Sequence, residues 1–362
     1  MTALEAPLVP SFGTRAVRFL WTCISSPGNI ALSLALLLLL GYALPGLVDW
    51  VLLRAHWGTD PQTCAHTYGA CWVFVRVRWD QLIYGSYPRS EWWRADIVFA
   101  IVVAGGAALL SRRITHKGII GLLLIMAAPP ASALLLMGGA FGLAPVEVSN
   151  WGGLLLTVAL GGAALAGALP AGLLLALARR SELPVIRTLA ILWIEFLRGV
   201  PLIPLLFIAM NVFPLLLPPG TNPSPLAKIV VAFILFNGAA MAEVFRGGLQ
   251  AIPKGQFEAA KSLGLGPAAT MALVILPQAV AIVTPGLVNV AVAIVKETTV
   301  VYIIGLFDFL TQIQAGLQAP NWLLGDQVRD SGYLFAAFVY WAVCFGLSRV
   351  SARLELKKER RG

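Results

Sequence analysis

The 362-residue sequence predicts an all-α integral membrane protein of about eight transmembrane helices. Three observations predict it. Hydrophobic residues make up 59% of the chain and charged residues 12%, with a mean hydropathy of +0.83; a soluble domain carries about 25% charged residues. Several apolar segments exceed the roughly 20 residues needed to cross a hydrocarbon core. The run from Leu34 to Leu40 does not alternate, so it is no strand of a β-barrel. In lipid such a segment must close its own backbone hydrogen bonds, as a helix does.

The spans fall near residues 29–53, 95–111, 119–141, 153–178, 188–217, 226–250, 268–295 and 332–350. The first apolar run begins near Ile30 and is too long for a signal-peptide core, so residues before it read as a short cytoplasmic tail. Basic clusters mark the links: Arg112, Arg113 and Lys117; Arg179, Arg180 and Arg187; Lys254 and Lys261; and Arg349, Arg353, Lys357, Lys358, Arg360 and Arg361 at the end. An even number of spans puts all of them, with Arg15 and Arg18, on one side, which the positive-inside rule makes cytoplasmic. The net charge of +9 is then accounted for without nucleic acid, since no basic stripe with interleaved aromatics is present. The opposite side receives the stiff turn from Pro218 through Asn222 to Pro225. It also receives a loop over 54–94 that carries five arginines against the trend.

That loop holds Cys64 and Cys71. In an oxidising compartment they can bridge; two free thiols remain the alternative, because spacing alone does not fix geometry. His56, Cys64, His66 and Cys71 match no regular zinc spacing, and no metal site is expected. Trp72, Trp79, Trp92 and Trp93 suit an interfacial belt. No internal repeat is evident. Before about residue 149 the spans are nearly free of charge; after it come Glu195, Arg198, Glu243, Arg246, Lys296, Glu297 and Asp308. Charge within a membrane is costly and marks function, so the second half is the working part.

Residues 252–264 read as a short polar helix between two apolar spans. Pro253 breaks the preceding helix, Gln256 to Leu263 are mostly good helix formers, and Gly264 suits the left-handed position that ends a helix. Phe257, Ala260 and Leu263 recur at threefold spacing on one side, leaving Glu258 and Lys261 for polar contacts. A two-turn helix is not stable alone in water and must pack on something.

Glu258-Ala259-Ala260, then Gly264, then Val274-Ile275-Leu276-Pro277 resembles the EAA motif of type I ABC importer permeases, with Val274 where the family has Ile. The flanks Glu243-Val244-Phe245-Arg246-Gly247-Gly248-Leu249, Ile252-Pro253-Lys254-Gly255-Gln256, Leu276-Pro277-Gln278-Ala279, Arg198-Gly199-Val200-Pro201-Leu202 and Lys296-Glu297-Thr298-Thr299 resemble its polar amino acid branch. The long segment before residue 150 resembles that of the general L-amino acid importer permeases, whose two membrane subunits differ. The resemblance implies a type I permease core over 150–362 with a cytoplasmic coupling loop at 251–267. Residues 1–149 become an N-terminal extension with about three spans and a periplasmic loop. It also implies that Gln256, Phe257, Glu258, Ala259, Ala260, Leu263 and Gly264 engage a separate ATPase dimer, which carries ATP and Mg, while this chain binds no cofactor. A second, related but different permease subunit, a periplasmic amino acid-binding protein and an amino acid substrate complete the expected partners. Both termini are expected in the cytoplasm at the bacterial inner membrane.

No G-x-x-x-x-G-K-[ST] loop occurs, so the energy source lies on another chain, and no motif of an enzyme is found. With a single EAA-like segment, a two-fold transporter needs a second membrane subunit. For the solute path the sequence offers Arg198, Pro201, Asn237, Lys296, Glu297 and Thr298. An amino acid zwitterion wants a cation or helix N-terminus for its carboxylate, and a carboxylate or carbonyls for its ammonium. Arg198 lies either inside a span that starts near Thr188, or at the cytoplasmic edge if residues 188–197 lie in the membrane plane and the span starts at Pro201. Lys296 and Glu297 form either a gate or a local ion pair at a helix end. Two rival functions stand beside the importer: an ion-driven transporter, which would need repeats or paired broken helices, and a membrane scaffold that only docks a partner.

Overall fold

The computed structural model describes residues 12–66, 68–111, 113–114, 116–221, 223–323 and 325–359. Arg112, Asn222, Arg360 and Arg361 lie outside the described residues, as do the side chains of Arg15, Arg18, His66, Arg353, Lys357 and Lys358. The chain divides into two compact units, Met1–Phe74 with Leu324–Ser331, and Val75–Leu323 with Gly332–Gly362. Helices form throughout the described residues, joined by only isolated β-bridges.

The first unit holds α1 (Phe12–Ile24) and the long apolar α2 (Pro27–Leu53). Ser26 caps α2 through its side chain and Pro27 occupies the first turn, where a missing N–H costs nothing. No residue of Pro27–Val48 is buried, so nearly the whole helix surface is left for lipid. A cap follows. Ala70 donates to the Trp50 carbonyl at 2.8 Å, His56 donates to the Ala70 carbonyl at 2.8 Å, and Trp72 Nε1 reaches the Val51 carbonyl at 2.9 Å. Cys64 and Cys71 are joined as a disulfide, and the Cys71 N–H donates to Ser331 Oγ at 2.7 Å. Their sulfurs are thereby removed from any metal-ligand set. The cap fastens the end of α2 to the first turns of the last helix.

The second unit contains α3 (Arg89–Leu110), α4 (Lys117–Met137), α5 (Gly153–Ala178), α6 (Pro184–Gly199), α7 (Leu202–Asn211), α8 (Pro225–Gln250), the short α9 (Lys254–Ser262), α10 (Pro267–Ile304), α11 (Phe309–Leu317) and most of α12 (Asp326–Ala352). With α2, seven helices are long and apolar enough to cross a membrane, and the pair α6–α7 makes an eighth candidate bent by 109°. The bend corrects a continuous span over 188–217. Val200 is extended (φ −93°, ψ 130°) because Pro201 disfavours the α region before it, and Pro201 itself lacks the N–H to continue the ladder. Two other boundaries move. The span expected over 119–141 stops at Met137, where Gly138 and Gly139 take positive φ. The apolar segment expected to end near 295 continues to Ile304, but its last part, Thr298–Ile304, is a 3-10 turn; the α-helical part of α10 ends at Glu297 with Thr298 as its cap, so Lys296 and Glu297 stand in the last turn of that helix.

Helices α5 and α8 form the centre. Buried Gly161, Ala164, Ala168, Gly172 and Ala176 recur every three or four residues along α5. A Cβ on Gly172 would sit 2.6 Å from Met241 Cβ and 2.9 Å from the Gly238 carbonyl. Such residues let two backbones approach in a solvent that gives no hydrophobic drive between helices. Gly248 likewise admits Val283 and the Ala279 carbonyl of α10. At the far end of α5, Gly153 donates to the Phe307 carbonyl at 2.9 Å, and Gly85 bridges Trp151. At 1.5 Å per residue, α5 separates this end from Arg179 by ~39 Å.

The five loop arginines are held by partners of their own. Arg54 pairs with Asp49 (2.7 Å), Arg89 with Asp80 (3.5 Å), and fully buried Arg94 with Glu91 (2.7 Å); Arg78 donates to Gln81, and Arg76 also has a partner. Of the four tryptophans read as a belt, Trp79 and Trp93 are exposed, whereas Trp72 stacks on Trp57 and Trp92 on Tyr84.

The sequence has 4 cysteines, two of them free, Cys23 and Cys344. Denaturation and maleimide-polyethylene-glycol labelling of protein purified without reductant is expected to shift two thiols, and four after reduction. Four without reductant would show that the cap forms without its bridge.

Candidate functional site: the surface helix and its anchors

Helix α9 starts after Pro253, which is extended (φ −59°, ψ 142°), and closes with paired terminal hydrogen bonds. Gly264 N–H donates to the Lys261 carbonyl at 2.9 Å and Leu265 N–H to the Ala260 carbonyl at 3.1 Å, with Gly264 at φ +77°. This is the Schellman arrangement, and it needs a residue without a Cβ penalty at the left-handed position. A Cβ on Gly264 would meet open space, so the demand for glycine here is conformational and not steric crowding.

One face of α9 is fixed to the second unit. Ala260 is buried, and half-buried Phe257 lies under the Arg180 guanidinium, 5.8 Å from its centroid. Arg180 also reaches the Leu249 carbonyl at the end of α8, at 3.4 Å. Gln278 of α10 donates to Gln256 Oε1 at 3.1 Å while holding its own Val274 carbonyl at 2.8 Å. Arg180, just past the end of α5, and Gln278 of α10 thus hold one two-turn helix. The other face, Glu258, Ala259, Lys261 and Ser262, is exposed. Leu263 departs from the expected single apolar side: it is 80% exposed. Threefold spacing drifts ~60° per step on a 3.6-residue helix, and Leu263 stands beyond the last helical residue.

Beside this helix a charge network joins α5, α6 and α8. Arg179 Nη1 lies 2.6 Å from Glu243 and 3.2 Å from Glu195. Arg246 pairs with Glu243 at 2.8 Å and donates to Gln250 at 2.8 Å. Arg198 is exposed and lies 3.6 Å from Glu195. Sequence reasoning used Arg179 and Arg180 only as marks of orientation. No periodicity links Arg179 to Glu243, 64 residues away, and only the helix packing brings them together.

Deeper in the unit, buried Asn237 donates to Glu297 Oε2 at 3.1 Å, and buried Thr298 bonds the Val295 carbonyl at 2.9 Å. Lys296 is exposed, on a different side of α10 from Glu297, since adjacent helix positions do not face each other. Arg198 and exposed Pro201 do not join this pair: Glu243 lies ~9 Å further along α8 than Asn237. Asp308 is fully buried and caps α11. It accepts from Thr311 N at 3.0 Å, Thr311 Oγ1 at 2.5 Å and Tyr340 Oη at 2.9 Å.

The model of the family described as binding-protein-dependent transport system inner membrane component matches residues 168–360, and the chain belongs to that family. The inner membrane amino-acid ABC transporter permease protein YhdY of Escherichia coli (strain K12) is 43% identical over 331 residues, 91% of this chain and 89% of that one. The glutamate/glutamine/aspartate/asparagine transport system permease protein BztC of Rhodobacter capsulatus is 32% identical, over 93% of this chain and 92% of its own. Both alignments therefore take in most of the segment before residue 150. A crystal structure of an amino acid ABC transporter with histidines aligns with 56% of this chain and 91% of its own, at 29% identity and a TM-score of 0.49. The chain is an ABC importer permease, a multi-pass inner membrane protein and a transport subunit.

The Arg179–Glu243 pair is buried enough to couple α5 to α8. A double-mutant cycle of Arg179→Ala and Glu243→Ala, read by thermal unfolding in detergent, is expected to give a coupling energy of about 0.5–3 kcal/mol. Additive single effects would remove the pair from the forces that hold this end together.

Proposed function

We propose that this chain is the membrane-spanning subunit of an ATP-driven, binding-protein-dependent importer of polar or general L-amino acids, and that α9 is its coupling helix. The observation that carries this reading is the two-sided state of α9. Its inner face is held by Arg180, just past the end of α5, and by Gln278 of α10, and its outer face is a bare surface ended by Gly264. Arg180 in turn holds the end of α8 through the Leu249 carbonyl, so a displacement of α9 passes to the ends of these helices. The amino acid class is supported by YhdY and BztC, whose names state amino acid transport.

In this reading an ATPase dimer takes Glu258, Ala259, Lys261 and Leu263, and supplies ATP and Mg; this chain binds no cofactor. A related but different permease subunit and a periplasmic binding protein complete the complex. The ends of α5 and α8 with α9 lie on the cytoplasmic side, where Arg179, Arg180, Lys254 and Lys261 gather, and both termini lie there too. Residues 150–362 form the transport core and 1–149 an extension. The 109° bend suits residues 188–197 lying along the membrane surface, with Arg198 as an anchor on Glu195. Asn237, Glu297 and Thr298 line the path, with Glu297 offered to the substrate ammonium; Lys296, on another side of α10, does not join them.

Gly264→Asp is expected to abolish uptake and ATPase co-purification, with the permease still inserted. Retained ATPase binding would remove α9 as the coupling element, and uptake without any ATPase would favour the ion-driven rival. Glu297→Gln is expected to lower uptake about tenfold, or ~1.4 kcal/mol in barrier, with ATPase docking unchanged. Unaltered uptake would take Glu297 out of the path.

A further inference from the structure

Helix α1 has no role in the transport reading, yet its surface is specific. It is 13 residues long, FGTRAVRFLWTCI. At ~1.5 Å per residue it measures about 20 Å, short of the ~30 Å hydrocarbon core, so it does not span. Val17, Leu20, Trp21 and Ile24 follow the i, i+3, i+4, i+7 pattern of one helix face. They are exposed by 58%, 62%, 67% and 60%. The only formal charges in its sequence are basic, Arg15 and Arg18.

The turn that follows fixes where α1 can be. Cys23 carbonyl accepts from Ser33 Oγ at 3.2 Å, although residues ten apart in one continuous helix would be separated by ~15 Å. The chain therefore doubles back at Ser25–Ser26. Asn29 Nδ2 donates to the Thr22 carbonyl at 2.9 Å and to Ser25 Oγ at 3.0 Å, and Ser26 Oγ caps α2 by accepting from Asn29 N–H at 3.2 Å. This polar knot stands at the entry of a span with no buried residue. Such a cluster belongs at headgroup level, and a helix folded back from it stays at that level.

We propose that α1 is an interfacial helix that binds an anionic phospholipid surface. Val17, Leu20, Trp21 and Ile24 insert among the upper acyl chains of the leaflet from which α2 enters, and the arginines draw the helix to acidic headgroups. The occupant is the bilayer, because the exposed apolar stripe is tied by the Thr22–Asn29 and Cys23–Ser33 bonds to the entry of a long apolar span with no buried residue. The proposal rests on α2 as a membrane span and is independent of the transport mechanism.

The test uses the full chain in nanodiscs, with Cys23→Ser and Cys344→Ser and the Cys64–Cys71 bridge retained. A spin label at Leu20→Cys is read by collision with oxygen and with a water-soluble nickel chelate; Val17→Cys is the second position if the first variant does not fold. In phosphatidylcholine discs containing phosphatidylglycerol, oxygen is expected to dominate at both positions, and nickel at Thr22→Cys. The oxygen excess is expected to fall in pure phosphatidylcholine, and Arg15→Gln/Arg18→Gln to abolish the difference between the two lipids. Nickel dominance at Leu20 would place α1 in water, and closure to both reagents would place it against protein; either result overturns the proposal. Equal depth in both lipids overturns the anionic preference.

Discussion

The close approach of α5 to α8 is the contact on which the rest of the second unit depends. In water, helices with buried Leu and Phe would be driven together by the expulsion of solvent. In hydrocarbon that force is absent between lipid-facing surfaces, and what remains is van der Waals contact at short range. Gly172 against Met241 and Gly238, and Ala171 against Gly238, set the axial register of the two helices to within a side chain. That register places Arg179 at 2.6 Å from Glu243 and leaves Arg180 over Phe257 and within reach of Leu249. A slip of one turn, ~5.4 Å, would separate both arginines from these partners. The grip on α9 is therefore a consequence of small residues ~10 Å or more away along the helices, and not of any strong bond within α9 itself.

The same logic explains what the sequence could and could not reveal. Spans are local: a long apolar run in lipid has one solution, so the seven unbroken spans of the described residues are legible in the sequence, whereas the 109° bend between α6 and α7 is not legible where that stretch is read as one continuous span. Chain breakers are local too, and Gly264 at φ +77° and the break at Pro201 follow from the backbone chemistry of glycine and proline. The contacts of Arg179 and Gln278 are not local. They join residues 64 and 22 positions apart through helix packing, and nothing in a one-dimensional pattern marks them. Leu263 is exposed for a different reason: threefold spacing suggests a single face, but a 3.6-residue period and an end at Ser262 turn the last member outward. The charges at Lys296 and Glu297 do mark the end of the α-helical part of α10; only the 3-10 turn that continues to Ile304 is not legible in the sequence.

Charge inside a membrane protein has two meanings, and the hydrogen bonds separate them. Asp308 has no exposed surface, and its carboxylate receives three donors from Thr311 and Tyr340. One of them is the backbone N–H that a helix N-terminus would otherwise leave unpaired. That carboxylate is fully used in joining α11 to α12, and it has little left to offer a solute. Glu297 is half-buried, and among the described residues it accepts one neutral donor, Asn237. An ionised carboxylate has about four acceptor positions, so most of its capacity is uncommitted. A half-buried carboxylate bonded to a single amide keeps acceptor positions to spare, which suits a substrate ammonium. This asymmetry between two acidic groups in one unit is what supports the proposed solute path beside Asn237 and Glu297, and it gives Asp308 a structural part in joining α11 to α12.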